Sequence, residues 1–361
     1  TPSKELLTIS ENSDYVNSIE FSPDGYHFAS GSFDGTAIIW DLSEVFSMET
    51  PFADATPIQQ FVFGEKGDRD HVRAVAYSPD GKHLVITDAY GKATIWNTES
   101  GDKVDTLSGH APGDTIMTEW NGVTDAAYSP DGSLLATSSD DLTIIIWDAT
   151  TGEKLHTLLG HKPATASVPP FEGVVAIDFN PQGTMLSSAG ADGTAKLWDV
   201  STGDLIMDLE AHPGSGVIDI AFSPQGDDLI TSGFDGTAIV WDVTLGESQF
   251  ILSGHSGPVM GVAYSPDGKY IATGSSDGTA KIWEAGTGQM LHNLEGHTFG
   301  LLEVEFSPDG KYLATSSQDG TVRFYVLSLP ELIELAQSRI TRSLTEQECQ
   351  QYLHEEECPD R

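Results

Sequence analysis

The sequence predicts an all-β chain of seven four-stranded units closed into a ring, and three observations predict it. A turn of the form aromatic, Ser or Asn, Pro, Asp or Gln, Gly recurs seven times, starting at Phe21, Tyr77, Tyr128, Phe179, Phe222, Tyr264 and Phe306. Nineteen residues after each start lies a second aromatic: Trp40, Trp96, Trp147, Trp198, Trp241, Trp283 and, in the last copy, Tyr325. The copies are spaced by 56, 51, 51, 43, 42 and 42 residues, a base period near 42 with 33 extra residues inserted. That period fits one four-stranded blade of a radial β architecture.

Each element of the unit has a local cause. Pro presets φ at the second turn position and Gly tolerates the exit geometry, so the first turn reverses one strand into the next. Thirteen residues after the first aromatic lies Asp34, Asp141, Asp192, Asp235, Asp277 or Asp319, usually followed by Gly-Thr, with Tyr90 in the second copy. Asp-Gly between β-branched, period-two runs is a hairpin signal, and it joins the second strand to a third ending at the Trp. A fourth strand approaches a Gly-His or Ala-His pair at His110, His161, His212, His255 or His297.

These residues resemble the WD40-repeat family across nearly all of residues 1–327, and the resemblance implies a seven-bladed β-propeller. The last copy stops after its third strand near Leu327, whereas Glu5-Leu-Leu-Thr-Ile9 matches the fourth-strand pattern of Lys154-Leu-His-Thr-Leu158. The N-terminal strand is therefore expected to complete the seventh blade, which removes an exposed sheet edge. In the family a blade is held by a hydrogen-bonded chain of Trp, Ser or Thr, His and Asp. The resemblance implies four complete tetrads here: His110, Thr137, Asp141, Trp147; His161, Ser188, Asp192, Trp198; His212, Thr231, Asp235, Trp241; and His255, Thr273, Asp277, Trp283. Copy one has Asn12 in place of His and copy seven has Tyr325 in place of Trp. Copy two has Asp68, Ile86 and Tyr90 at the three polar positions and keeps only Trp96. Losing all three together is physically coherent, because a half-satisfied buried network is worse than none.

The chain has 361 residues, 17 Lys plus Arg against 55 Asp plus Glu, and a formal net charge of -38. Such a surface repels phosphate backbones, so no nucleic-acid partner is expected. No apolar run is long enough to cross a membrane as a helix, and no membrane partner is expected; the expected compartment is cytoplasmic. The chain opens at Thr1, so a longer parent, a processed form and a shortened chain all stay open. Phosphate loops, His-Glu-x-x-His and Gly-x-Ser-x-Gly are absent, and His, Asp and Ser are assigned to structural bonding rather than a triad. No enzyme activity and no cofactor or metal is expected. The carboxylates read as spread over turns as solvated surface, not gathered in one pocket. Asp68-Arg-Asp70 and Asp227-Asp228 lack the ordered spacing of a calcium loop. Cys349 and Cys358 lack zinc spacing, with free thiols or a local disulfide both open.

Recognition remains. Two nine-residue insertions, one holding Ile116, Met117 and Trp120 and one holding Val168 and Phe171, fall on the rim that carries the His and Asp loops, here called top. The resemblance also places on that rim the residues before the turn Asp and those after the first-strand Val. Among these Phe33, Asp140, Phe234, Asn17, Arg73 and Met260 make a mixed apolar and charged set with aromatic and Arg anchors. The candidate partner site is thus Phe33, Arg73, Trp120, Asp140, Phe234, Met260, Asn17, Ile116 and Phe171, for a protein or peptide; plugging the channel is the competing role. The insertion Ser43–Thr56 falls on the opposite rim as a contact or a flap. Residues 328–361 are expected to form a helical extension, with Pro330 inside a helix start and Thr345 with Glu348 as a capping box. Arg339 to Pro359 is similar to tails after WD repeats in bacterial multidomain signalling proteins. The acidity reads either as solubility or salt adaptation, or as attraction for a basic partner. The functional expectation is a non-catalytic protein- or peptide-binding scaffold, monomeric on its own, in a larger bacterial signalling or regulatory protein. The alternative is a small-molecule or metal-ion sensor.

Overall fold

A computed structural model describes residues 5–46, 55–62, 71–110, 122–164 and 172–327. Ile116, Met117, Trp120, Val168 and Phe171, the pair Asp68 and Asp70, both cysteines and the extension 328–361 lie outside the described residues. Seven four-stranded antiparallel sheets stand around a central channel. Their inner strands are Val16–Phe21, Val72–Tyr77, Val123–Tyr128, Val174–Phe179, Val217–Phe222, Val259–Tyr264 and Leu301–Phe306. The blades are numbered 1 to 7 in that order.

The seventh blade is assembled from both ends of the chain. Glu5–Ile9 is its outer strand and pairs with Val322–Val326, with Thr8 opposite Arg323 and Ile9 opposite Val322. Arg323 Nη1 donates to Glu5 Oε2 at 2.5 Å, a bond across the junction.

Apolar side chains are buried mainly between blades. Phe21 and Phe28 of blade 1 meet Phe324 of blade 7 edge-on, with centroids 5.0 to 6.0 Å apart, and such pairs contribute about 0.5–1.5 kcal/mol each beyond area burial. The insertion after the third strand of blade 1 begins as a short helix, Ser43–Phe46, whose Phe46 lies flat on Tyr312 of blade 7 at 4.1 Å. Its described part therefore packs back onto the ring.

The hairpin turns hold one anomaly. Where the other copies place a glycine, such as Gly35 in blade 1 or Gly91 in blade 2, blade 3 has Leu142 at φ 73°. A Cβ in the left-handed region costs roughly 1–2 kcal/mol. Leu142→Gly is expected to raise stability by about 1 kcal/mol, read as a higher urea midpoint at unchanged slope.

Candidate functional site

The tetrads fix the top rim. In blade 6 the Trp283 indole N–H donates to Thr273 Oγ1 at 2.9 Å, His255 Nε2 lies 2.8 Å from that hydroxyl, and His255 Nδ1 lies 3.0 Å from Asp277. Donor counting sets the direction. Indole can only donate, so the hydroxyl proton goes to Nε2, and Nδ1 then carries the proton given to the carboxylate. Blades 3, 4 and 5 repeat this with His110 on Thr137 and Asp141, His161 on Ser188 and Asp192, and His212 on Thr231 and Asp235. Trp147, Trp198 and Trp241 each donate to the same hydroxyl. Burial alone would raise the Asp141 and Asp235 carboxyls, but bonds from His and Thr outweigh it and hold both at about 2. Burial lowers His255, in keeping with a neutral ring.

The departures are equally ordered. Blade 7 keeps His297 between Thr315 at 2.8 Å and Asp319 at 3.0 Å, and Tyr325 reaches Thr315 in place of the indole. In blade 1 the Asn12 side chain is buried with neither polar atom hydrogen-bonded, and Ser13 N–H takes over Asp34 at 2.8 Å. In blade 2 Ile86 fills the hydroxyl position and Trp96 packs on Phe61 at 4.9 Å. His71 instead turns to blade 1, with Nδ1 2.5 Å from the Phe33 carbonyl. His255→Ala strands Thr273 and Asp277 and is expected to cost about 3 kcal/mol, against about 1 kcal/mol for His71→Ala. Chemical denaturation of the two variants checks the ratio.

The candidate top-rim side chains fall on two described stretches of the ring. On blades 1 to 3, Phe33 lies 4.9 Å from His71 and 5.9 Å from Tyr15. Asn17 donates to the Arg73 carbonyl. Asp140 accepts Gly122 N–H at 3.1 Å; burial raises its carboxyl to about 6 against the pull of Arg73. On blades 5 and 6, Phe234 and Met260 are half-buried and Ile218 is buried. Trp120, Ile116 and Phe171 lie outside the described residues.

The model for "WD domain, G-beta repeat" matches residues 3–41, 58–97, 101–148, 152–199, 203–242, 246–284 and 288–325. The chain belongs to the WD40 family. Each of the seven WD40 matches opens on the outer strand of one blade and continues into the three inner strands of the next. The chain is similar to "WD repeat-containing protein 1" of Rattus norvegicus, 26% identical over 238 residues, 54% of this chain and 35% of that protein. It is similar to "Periodic tryptophan protein 2" of Arabidopsis thaliana, 29% identical over 208 residues, 57% of this chain and 19% of that protein. It is also similar to "Nuclear distribution protein nudF 1" of Talaromyces marneffei, 30% identical over 149 residues, 40% of this chain and 28% of that protein. The chain's matches span about a third or less of the length of these curated proteins.

Two features of this WD40 propeller escape the sequence reading. The first corrects the view that the carboxylates are solvated surface. Glu20, Asp125, Asp178, Asp219, Glu303 and Glu305 lie on inner strands, lining the channel. An inner strand has a partner on one side only, so alternate N–H groups face the next blade unpaired. The carboxylates take them: Glu303 accepts Ile19 N–H at 2.5 Å, Glu305 accepts Phe21 at 2.8 Å, Asp125 accepts Ile177 at 2.9 Å, Asp178 accepts Phe222 at 2.7 Å and Asp219 accepts Val262 at 2.7 Å. Glu20 accepts Tyr77 N–H in the same way. Each bond stitches one blade to the next. Burial, then mutual repulsion with N–H bonds opposing, pushes Glu20 up to about 8 and Asp125 and Asp178 up to about 7. Burial raises Asp219 to about 6. The signal in the sequence is acidic residues interrupting short apolar strands, as in Leu301-Leu-Glu-Val-Glu-Phe306. Among the described residues no three His, Cys, Asp or Glu side chains converge to hold a metal.

The second is a set of exposed aromatics. Tyr15, Tyr90 and Phe299 are 40%, 55% and 63% exposed. Tyr15 lies 5.9 Å from Phe33, and Phe299 and Tyr90 stand on the top loops of blades 7 and 2, the blades on either side of blade 1.

Proposed function

We propose that this propeller is a non-catalytic scaffold that binds a protein or peptide across the top rim of blades 7, 1 and 2. The observation that carries this is a set of aromatics on the top loops of these three blades, with Phe299, Tyr15 and Tyr90 exposed, Phe33 half-buried 5.9 Å from Tyr15, and Arg73 and Asp140 on the same rim. Aromatic and Arg side chains with a polar surround are the composition of interface anchors. WD40 propellers commonly serve as interaction scaffolds, which supports the reading. We further propose, on the similarity of residues 339–359, that the chain works within a larger bacterial signalling or regulatory protein in the cytoplasm. A basic partner fits the net charge of -38.

The test is selection of peptides from a displayed library on the purified protein, followed by calorimetry. Tyr15→Ala, Phe33→Ala and Phe299→Ala combined should weaken selected peptides at least about tenfold, with the thermal midpoint nearly unchanged. Undiminished binding by the folded triple variant would reject this face.

A further inference from the structure

The opposite rim carries an open cleft of ≈ 630 Å³ between blades 1 and 2. Its apolar lining includes Ile39, buried, and Ile58, half exposed. Three carboxylates also line it: Asp24, 3.2 Å from the lining His27, Asp80, 3.2 Å from Lys82, and Glu99. Tyr77 reaches it from the inner strand of blade 2, only 5% exposed, and its hydroxyl has no hydrogen-bond partner.

An orphaned buried hydroxyl calls for an explanation. Fold does not supply one, because Phe21, Phe179, Phe222 and Phe306 hold the same position in four other blades. Tyr264 of blade 6 is also unpartnered, but it sits in an apolar cluster with Phe250, whose ring packs over Gly288. At the position of Phe250, the blade 1 cleft has Gln59, set against Gly101. Where blade 6 presents an apolar cover, this cleft presents an amide and an open mouth. Burial, with Glu20, Asp24 and Glu305 nearby, holds the Tyr77 phenol protonated, so its oxygen stays a neutral acceptor in a negative field.

A donor-only head on an apolar stem matches that surround: an ammonium has three donors and no acceptor, and its four-carbon stem covers apolar surface. We propose that this cleft receives a lysine side chain of an extended peptide, with the stem along Ile39 and Ile58 and the ammonium donating to Tyr77 Oη. Asp24, Asp80 and Glu99 draw the charge in. This site lies on the rim opposite the exposed aromatics and goes beyond the top-face reading.

The experiment is methyl NMR on Ile39 and Ile58 of the full chain, titrated with acetyl-Ala-Lys-Ala-amide and with the same peptide carrying norleucine. Saturable shifts with lysine, absent with norleucine, are expected, and added salt should weaken them. Tyr77→Phe, the native choice in other blades, and Gln59→Leu should each reduce lysine-peptide affinity about tenfold. Equal shifts from norleucine, or no shift from lysine, would overturn the proposal, as would a folded Tyr77→Phe binding as before. 1,5-Diaminopentane should bind more weakly than the peptide; equal or tighter binding would overturn the peptide assignment. Binding here should survive the Tyr15, Phe33 and Phe299 substitutions, so failure on one rim is distinguishable from failure on the other.

Discussion

Deletion of residues 1–10 is expected to abolish cooperative folding. It removes the outer strand of blade 7, including buried Ile9, and leaves Val322–Val326 as an open edge beside the Phe21, Phe28 and Phe324 cluster. Burying one Ile contributes about 1.5–3 kcal/mol. Newly exposed edge groups and the loss of Glu5 from Arg323 add to that, so the total loss should reach at least about 5 kcal/mol, comparable with a whole domain's net stability. Urea unfolding followed by circular dichroism checks it, and a synthetic peptide of residues 1–10 should restore the transition when added in trans. A truncated chain with an unchanged midpoint would refute closure by this strand.

The second large effect is a fall in stability from pH 5 to pH 8. The channel carboxylates have raised folded values, with Glu20 at about 8, Asp125 and Asp178 at about 7, Asp219 at about 6, and Glu303 and Glu305 well above their ordinary range. Unfolded, they titrate near pH 4. Between these limits the folded chain holds more protons than the unfolded one, so stability declines as pH rises. A tenfold change in one group's proton affinity on folding corresponds to about 1.4 kcal/mol, and sharing among interacting groups leaves a total on the order of 5 kcal/mol. The tetrad aspartates act oppositely: at about 2 for Asp141, Asp235, Asp277 and Asp319, they stabilise above pH 4 and lose this as pH falls toward 2. The combined Glu303→Gln and Glu305→Gln variant keeps acceptor oxygens for Ile19 and Phe21 but removes two groups that must take up protons on folding. Urea midpoints from pH 5 to 8 should show a flatter profile and a gain of about 1–3 kcal/mol at pH 8. A slope identical to that of the native chain would exclude these groups as its source.

The blades were legible in the sequence because their determinants are local and repeated. Pro and Gly at fixed turn positions, and an aromatic nineteen residues on, do not depend on the rest of the chain. Closure was legible for the same reason: Glu5–Ile9 looks like the outer strands. The channel lining was not. Glu20 or Asp178 in an alternating strand reads as a solvent face, and only closing the ring turns that face into a narrow, shared space. Tyr15, Tyr90 and Phe299 lie on separate copies, and that they fall on three consecutive blades follows from which blade neighbours which. Phe33, Arg73 and Asp140 could be named as candidates because each sits one residue from a repeated landmark, whereas Tyr77 differs from its Phe counterparts by one oxygen whose surroundings no spacing reveals.

Since Glu5 and Val326 belong to one sheet, the backbone has no privileged sector at which it must start. Linking the two ends and cutting the polypeptide at another outer strand should give a permuted molecule with every pairing intact. A reporter pair placed next to Glu5 and Val326 would sit on the two strands that meet there, placed to register whether that single seam is shut.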